Sequence, residues 1–272
     1  MTADVPFYAG LASEADGPLV ELAVGNGRVA IPVARAAGRP VIGVDSSPGM
    51  LSQARERARE AGVRLDLRLG DMRDLALDEP AALAYCPFRA LLHLPAWADR
   101  RRTFERVAAS LRPGGRFAWN AYAFDHRIAA RLDGERQTRP APHTIRYSVG
   151  DNRVDLVCDN GAVSSLWWAT KNEWLGLIDV AGLELEALYG GFGREPFTPD
   201  STEYVSLPAA QDKPEASGPK FPAAPGEDPG RAGRRAGRRR RSQPGLRRRG
   251  GRSRCSGSSC AASRCRCPAV SR

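Results

Sequence analysis

Residues 19–45 read LVELAVGNGRVAIPVARAAGRPVIGVD. The segment opens on a short apolar run, Leu19–Val24, that has the length of a buried strand. Gly25-Asn26-Gly27 follows, then a helical stretch, Arg28–Ala37, closed by Gly38. Val41–Asp45 is a second buried-strand candidate. Strand, glycine turn, helix and strand are the repeating unit of a parallel sheet. The glycines let a ligand approach the backbone, and the helix start offers free N–H groups. Asp45 places a carboxylate at the end of the second strand, where it can take both hydroxyls of a ribose. GNGRVA also fits the dinucleotide fingerprint G-x-G-x-x-A, so a nicotinamide oxidoreductase is one reading of this unit.

The same alternation continues in both directions from this unit. Ser47 is a natural N-cap with Pro48 in the first helical position, and the helix runs to Gly62. Leu65–Leu69 alternates as a strand and ends at Gly70-Asp71. Ala81–Cys86 is a fourth strand. Trp97–Ser110 is amphipathic, with Phe104, Val107 and Leu111 along one face. Pro113-Gly114-Gly115 turns the chain into a fifth strand, Arg116–Ala123. After Ala123 the rhythm changes. His143–Val149, Arg153–Asp159 and Ala162–Thr170 are β-like runs separated by hairpin turns. Trp174–Ala181 is helical, and Leu183–Tyr189 and Thr202–Leu207 read as an antiparallel pair. Residues 1–18 read as a short leader. An α/β fold is expected, with a mostly parallel sheet, an antiparallel last strand and an antiparallel insertion after strand five.

Charge divides the chain. The 272 residues carry a formal charge of +10, yet from Gln211 onward 17 basic and four acidic residues carry +13, which leaves −3 for the rest. Past Pro229 aromatics are absent. Such a stretch cannot bury enough apolar surface to fold, so 209–272 reads as a disordered, functionally inert or frameshifted tail. Its arginines are the only hint of a nucleic-acid partner, and it lacks the interleaved aromatics that stack bases. No run approaches the roughly 18 apolar residues of a membrane span. The start, MTADVPFYAG, has no basic stretch before an apolar core, so no signal peptide is expected. Two body cysteines, Cys86 and Cys158, form no disulfide framework, and a cytoplasmic setting is expected. His93, His126 and His143 do not cluster with carboxylates at ligand spacing, so no metal is expected.

Four motifs occur in order: E-x-A-x-G-x-G at 21–27, VIGVDSSPGML at 41–51, LRLGDMRDL at 67–75 and LRPGGRF at 111–117. Together they resemble the class I S-adenosylmethionine-dependent methyltransferases, in particular small bacterial enzymes acting on small molecules. The usual first motif has a glycine where this chain has Ala23. The resemblance implies a Rossmann-like methyltransferase domain over 1–208, with a substrate cap near 124–175. It implies S-adenosylmethionine as cofactor and a small-molecule methyl acceptor. Glu21, Ala23, Gly25, Asn26 and Gly27 would line the methionine moiety. Asp45 would hold the ribose beside Ser46 and Met50. Asp71 would accept from the adenine amino group, with Met72 packed on the ring. Cys86, Pro87 and Phe88 would flank the sulfonium and the incoming nucleophile. Arg89, Asn120 and Tyr122 are further candidates for substrate contact. His93, Tyr122 and His126 are the candidates for a catalytic role. Trp167, Trp168 and Trp174 are expected to pack the insertion into a core. RNA modification guided by the basic tail is the third competing function.

Overall fold

The computed structural model describes residues 3–139 and 141–211; the segment read as a disordered tail lies outside them from position 212. Five parallel strands build the centre. They are β1 (Leu19–Leu22), β2 (Val41–Asp45), β3 (Leu65–Leu69), β4 (Ala81–Cys86) and β5 (Leu111–Tyr122). β10 (Leu183–Tyr189) and β11 (Glu203–Ala210) extend the sheet, whose order is β10-β11-β5-β4-β1-β2-β3. β11 runs antiparallel to both of its neighbours. The order reverses at β1, which pairs with β2 on one side and β4 on the other. In an open α/β sheet the carboxyl ends of the strands at such a reversal form the ligand crevice.

Helices cover both faces, so the inner strands are apolar throughout. Every residue of β1 and β4 is buried. Val20 and Leu22 join a core with Phe104, Trp119 and Trp174, below α4 (Trp97–Ser110) and α6 (Lys171–Val180). Leu19 and Tyr85 face the other way, into a core with Tyr8, Val33 and Leu51. That second core is closed by α1 (Asp4–Glu14), α2 (Ala30–Ala37) and α3 (Pro48–Glu60). Ser47 caps α3 as expected, its side chain accepting from the Met50 N–H at 3.3 Å.

The first 18 residues are more than a leader. Residues 4–14 form α1, whose Phe7, Tyr8 and Leu11 are buried in the core. Tyr8 stacks on Tyr85 at 5.3 Å and 27°. The arginine that follows Gly27, Arg28, forks onto the buried Asp4 carboxylate at 2.9 and 2.6 Å, tying α1 to the first glycine loop. Strand five also begins earlier than expected. Its pairing with β4 jumps from Ala81–Leu111 to Leu83–Arg116, so the Pro-Gly-Gly segment forms a bulge within the strand. A Cβ on Gly115 would stand 2.8 Å from the carbonyl oxygens of Ala81 and Arg112, which only glycine avoids. At the other end β11 runs on through Pro208 to Ala210, past the boundary expected at 208. Pro208 sits beside a register shift in the β10 pairing, where its missing N–H costs no regular ladder bond.

Between β5 and α6 lies the insertion. It starts with α5 (His126–Leu132) and forms a four-stranded antiparallel sheet. Its strands are β6 (Arg136–Gln137), β7 (His143–Ser148), β8 (Arg153–Cys158) and β9 (Val163–Trp167). Trp168 and Trp174 are buried; Trp167 is half-buried. Trp168 lies flat on Phe124 at 4.2 Å and 8°, joining the insertion to the end of β5. Among the described residues no helix is long and apolar enough to cross a membrane.

Replacing Tyr8 tests whether α1 belongs to the fold. Tyr8→Ala should lower unfolding free energy by about 3–5 kcal/mol, the cost of a large buried aromatic cavity. Urea denaturation of the variant reads this directly. An unchanged midpoint would restore the leader reading.

Candidate active site

The loop after β1 is built on left-handed backbone. Ala23, Gly25 and Gly27 have φ of 53°, 56° and 78°. Glycine takes this conformation freely, whereas alanine does so at a cost of roughly 1–2 kcal/mol. The Ala23 methyl packs against the core beneath the sheet, beside the cluster that contains Cys86. Three bonds hold the loop. Val24 N–H donates to the Val44 carbonyl at 3.0 Å, Gly27 N–H to the Val24 carbonyl at 3.0 Å, and Gly25 N–H to Asp45 Oδ2 at 2.8 Å. Asn26 contributes its carbonyl to Arg57 of α3 at 3.2 Å.

Three carboxylates stand at the ends of the first three strands. Asp45 Oδ1 accepts from Ser47 N–H at 2.8 Å, so each oxygen already holds one backbone donor. A carboxylate has about four acceptor positions. Two are left for a vicinal diol. Ser46 is exposed and Met50 half-buried beside it. Asp71 caps a short 3-10 turn, Met72–Asp74, by accepting from Arg73 N–H. The Arg73 guanidinium also forks onto it, at 3.0 and 2.7 Å, and reaches Asp99 of α4 at 2.9 Å. These bonds hold the Asp71 carboxyl below its usual range. They take three of its acceptor positions, so an adenine amino group would share Asp71 with Arg73. Met72 is half-buried next to it.

Glu21 is different. It is 1% exposed, and its Oε2 has no hydrogen-bond partner. Burial holds its carboxyl well above the usual range, opposed by Tyr85 and Arg28. An orphaned, buried carboxylate oxygen under a glycine loop fits a ligand that brings a cation. The cofactor's ammonium has that chemistry, and the glycine loop and Asp45 suit its remaining parts.

The strand ends beyond β4 hold a second group. Cys86 is buried, its thiol kept neutral by desolvation. Phe88 and Arg89 both have left-handed backbone, with φ of 57° and 60°. Two such non-glycine residues in succession are strained. Phe88 is exposed, with the Arg28 guanidinium 5.0 Å from its ring centroid. Arg89 turns onto Glu203 of β11, with Nε at 3.2 Å from both oxygens and a terminal nitrogen at 2.6 Å. Asn120 Nδ2 donates to the same carboxylate at 2.6 Å, and Asn120 Oδ1 accepts from the Tyr8 hydroxyl at 3.2 Å. Tyr122 ends β5, with a buried, unpartnered hydroxyl. His93 is exposed and turned to the Ser165 backbone, while His126 is exposed in the first turn of α5. The structure thus brings Arg89, Asn120 and Tyr122 together and leaves His126 apart. Sequence reasoning missed Tyr8, Arg73 and Glu203. Arg73 carried a local signal, an arginine two positions after an expected ligand. Glu203 lies 114 positions from Arg89 and carried none.

A family model described as a methyltransferase domain matches residues 19–115. Comparison with curated proteins gives no match. Solved structures align over most of the chain. The CcbJ methyltransferase of Streptomyces caelestis is 26% identical, with 76% of this chain and 95% of that one covered at a TM-score of 0.64. An S-adenosylmethionine-dependent methyltransferase of Clostridium acetobutylicum ATCC 824 is 14% identical, with 76% and 92% covered at a TM-score of 0.67. The sugar N-methyltransferase KedS8 from Streptoalloteichus sp. is 16% identical, with 77% and 87% covered at a TM-score of 0.57. The methyltransferase-domain match spans the first four strands and the start of the fifth, and the sheet with its antiparallel strand pair is the Rossmann-like fold of the S-adenosylmethionine-dependent methyltransferases it aligns with.

Two expectations follow from the loop. Ala23→Gly removes the left-handed strain and should raise stability by about 1 kcal/mol, net of the extra freedom glycine gains when unfolded. A lower denaturation midpoint would contradict that assignment. Burial raises the Glu21 pKa in the free enzyme, and a cation placed beside it favours its charged form. Binding of S-adenosylhomocysteine should therefore release a proton and tighten as pH rises through the raised pKa of Glu21. Calorimetry in two buffers of different ionisation heat counts the proton, and Glu21→Gln should abolish its release. Identical heats for the parent enzyme would refute the linkage.

Proposed function

We propose that the enzyme methylates the nitrogen of a small-molecule amine, held in the crevice at the carboxyl ends of β1, β4 and β5. One observation carries this choice: the carboxylates and the histidine that could serve as a base beside β4 and β5 already have partners. Glu203 is spent on Arg89 and Asn120, and Asp71 on Arg73. Tyr122 is held in its neutral form by burial. His93 is turned to the insertion. A neutral amine attacks without a base, whereas an alcohol needs its proton removed. The sugar N-methyltransferase with the same fold supports the nitrogen reading.

When bound, S-adenosylmethionine supplies a methyl group whose S–C bond breaks as the acceptor's N–C bond forms, leaving S-adenosylhomocysteine and a proton for water. The chain's part is to hold and orient. Glu21 pairs with the ammonium, and Gly25 and Gly27 keep the loop open to close approach. Asp45 fixes the ribose through its two remaining acceptor positions, and Asp71 takes the adenine amino group. Asn120, fixed from both sides, gives the floor of the crevice a rigid polar atom. Such positioning supplies several kcal/mol of barrier reduction, about 7 in favourable cases. The two described cysteines, Cys86 and Cys158, are free thiols, and we place the enzyme in the reducing cytoplasm on that basis.

Calorimetric titration of the full chain with S-adenosylmethionine, S-adenosylhomocysteine and NAD tests the cofactor half. The first two should bind and NAD should not. Asp45→Asn should weaken binding roughly 10- to 100-fold, the loss of one hydrogen bond to a charged group. Incubation with methyl-labelled cofactor and a panel of primary amines tests the acceptor half. Label should appear on nitrogen, at a rate that rises with pH through the pKa of the acceptor amine. Label found only on hydroxyl groups would sink the amine reading.

A further inference from the structure

Tyr122 ends β5, and two buried donors of this region, one its own, lack acceptors. Its own hydroxyl is buried without a partner. Arg100, in the first turns of α4, is 4% exposed, and its Nε–H has no acceptor. A terminal nitrogen of Arg100 donates to the Trp167 carbonyl, and the guanidinium lies 5.2 Å over the Trp174 ring. Among the described residues no carboxylate forms an ion pair with Arg100. The carboxylate whose charge reaches it, Glu173, is committed to the capping box of α6, where it accepts from Thr170 N–H at 2.7 Å. A buried guanidinium without a counterion costs several kcal/mol. Arg89 completes the group, its guanidinium carbon 5.7 Å from the Tyr122 ring centroid. Glu203 answers the charge of Arg89 and leaves that of Arg100 uncompensated. The charged groups that face Tyr122 are Arg89 and Arg100, with Tyr147 of the insertion as its other titratable neighbour.

Fixed positive charge and unspent donors are what an oxyanion needs, because charge-assisted bonds to it would recover the desolvation that Arg100 has already suffered. Arg89 and Tyr122 are only partly buried and follow or end the strands β4 and β5 at their carboxyl ends. We infer that Tyr122, Arg100 and Arg89 form a subsite for an oxyanion borne by the methyl acceptor, a carboxylate or a phosphate ester. The inference rests on the small-molecule reading above and deepens it. The anion is anchored below the insertion, and the nucleophile projects toward β1 and β4. Arg100 is then retained for recognition and not for stability.

Titration of the full chain, saturated with S-adenosylhomocysteine, tests the subsite with three probes: benzoate, its neutral counterpart benzamide, and inorganic phosphate. Benzoate should bind and benzamide should not. Tyr122→Phe and Arg100→Met should each weaken benzoate at least tenfold, and Arg100→Lys should restore part of the loss. The melting temperature of Arg100→Met should stay level or rise, because an apolar side chain replaces an uncompensated buried charge. Phosphate binding in place of benzoate, lost in the same variants, would keep the subsite and assign it to a phosphate ester. Equal binding of benzoate and benzamide, binding of neither anion, or undiminished binding in both variants would overturn it. The amine panel fails or succeeds independently, since benzoate carries no amine.

Discussion

The carboxylate of Asp45 is the constraint on which the cofactor end of the molecule depends. It is the last residue of β2, and its two oxygens hold the N–H groups of Gly25 and Ser47. One bond fixes the loop after β1. The other fixes the entry to α3. The loop can take its left-handed course because those amides, which a parallel strand end would leave bare, have an acceptor. The position also explains why substitution there is expected to affect binding more than folding alone: the same oxygens that organise the backbone have acceptor capacity left over. A single side chain thereby couples the geometry of two βα turns, and its spare acceptor positions are where the proposed ribose would bind.

Much of this was legible in the sequence, for local reasons. Apolar runs of four to six residues gave the central strands, and Ser47-Pro48 gave the start of α3, because strand burial and helix capping are read from neighbouring residues. The spacing from the glycines to Asp45 gave the crevice. The misses have physical causes too. DVPFYAGLASE has apolar residues on both faces of α1, Val5, Pro6 and Ala9 beside Phe7, Tyr8 and Leu11, so no amphipathic contrast marks the helix whose Tyr8 fills the core. The Pro-Gly-Gly segment signals a turn, yet in the fold it is a bulge inside β5, a distinction that the pairing partner decides. Glu203 meets Arg89 only because β11 inserts between β10 and β5. Long-range pairing of this kind leaves no mark in either segment.

The crevice has two electrostatic halves. On the side of β1 to β3 the uncommitted capacity is for accepting: Glu21 Oε2 and the spare positions of Asp45. On the side of β4 and β5 it is for donating: the Tyr122 hydroxyl and the Arg100 Nε–H. Beneath them the Tyr8–Asn120–Glu203–Arg89 chain of bonds is closed by the Arg89 N–H on Asn120 Oδ1 and forms a fixed polar floor. A cationic donor molecule on one side and an anionic acceptor on the other would each meet the charge that the fold leaves unanswered, and they would meet one another above that floor. Buried groups left without partners are costly in an empty enzyme. Glu21 Oε2 and the Tyr122 hydroxyl carry that cost beside the crevice, where the proposed ligands would relieve it.

The most direct test of this arrangement is a crystal structure of the enzyme with S-adenosylhomocysteine bound. The ribose is expected on the free side of the Asp45 carboxylate and the ammonium within hydrogen-bond distance of Glu21 Oε2, with the Gly25–Asp45 and Ser47–Asp45 bonds intact. A ligand seated elsewhere on the sheet, or one that breaks Asp45 away from the loop, would contradict it.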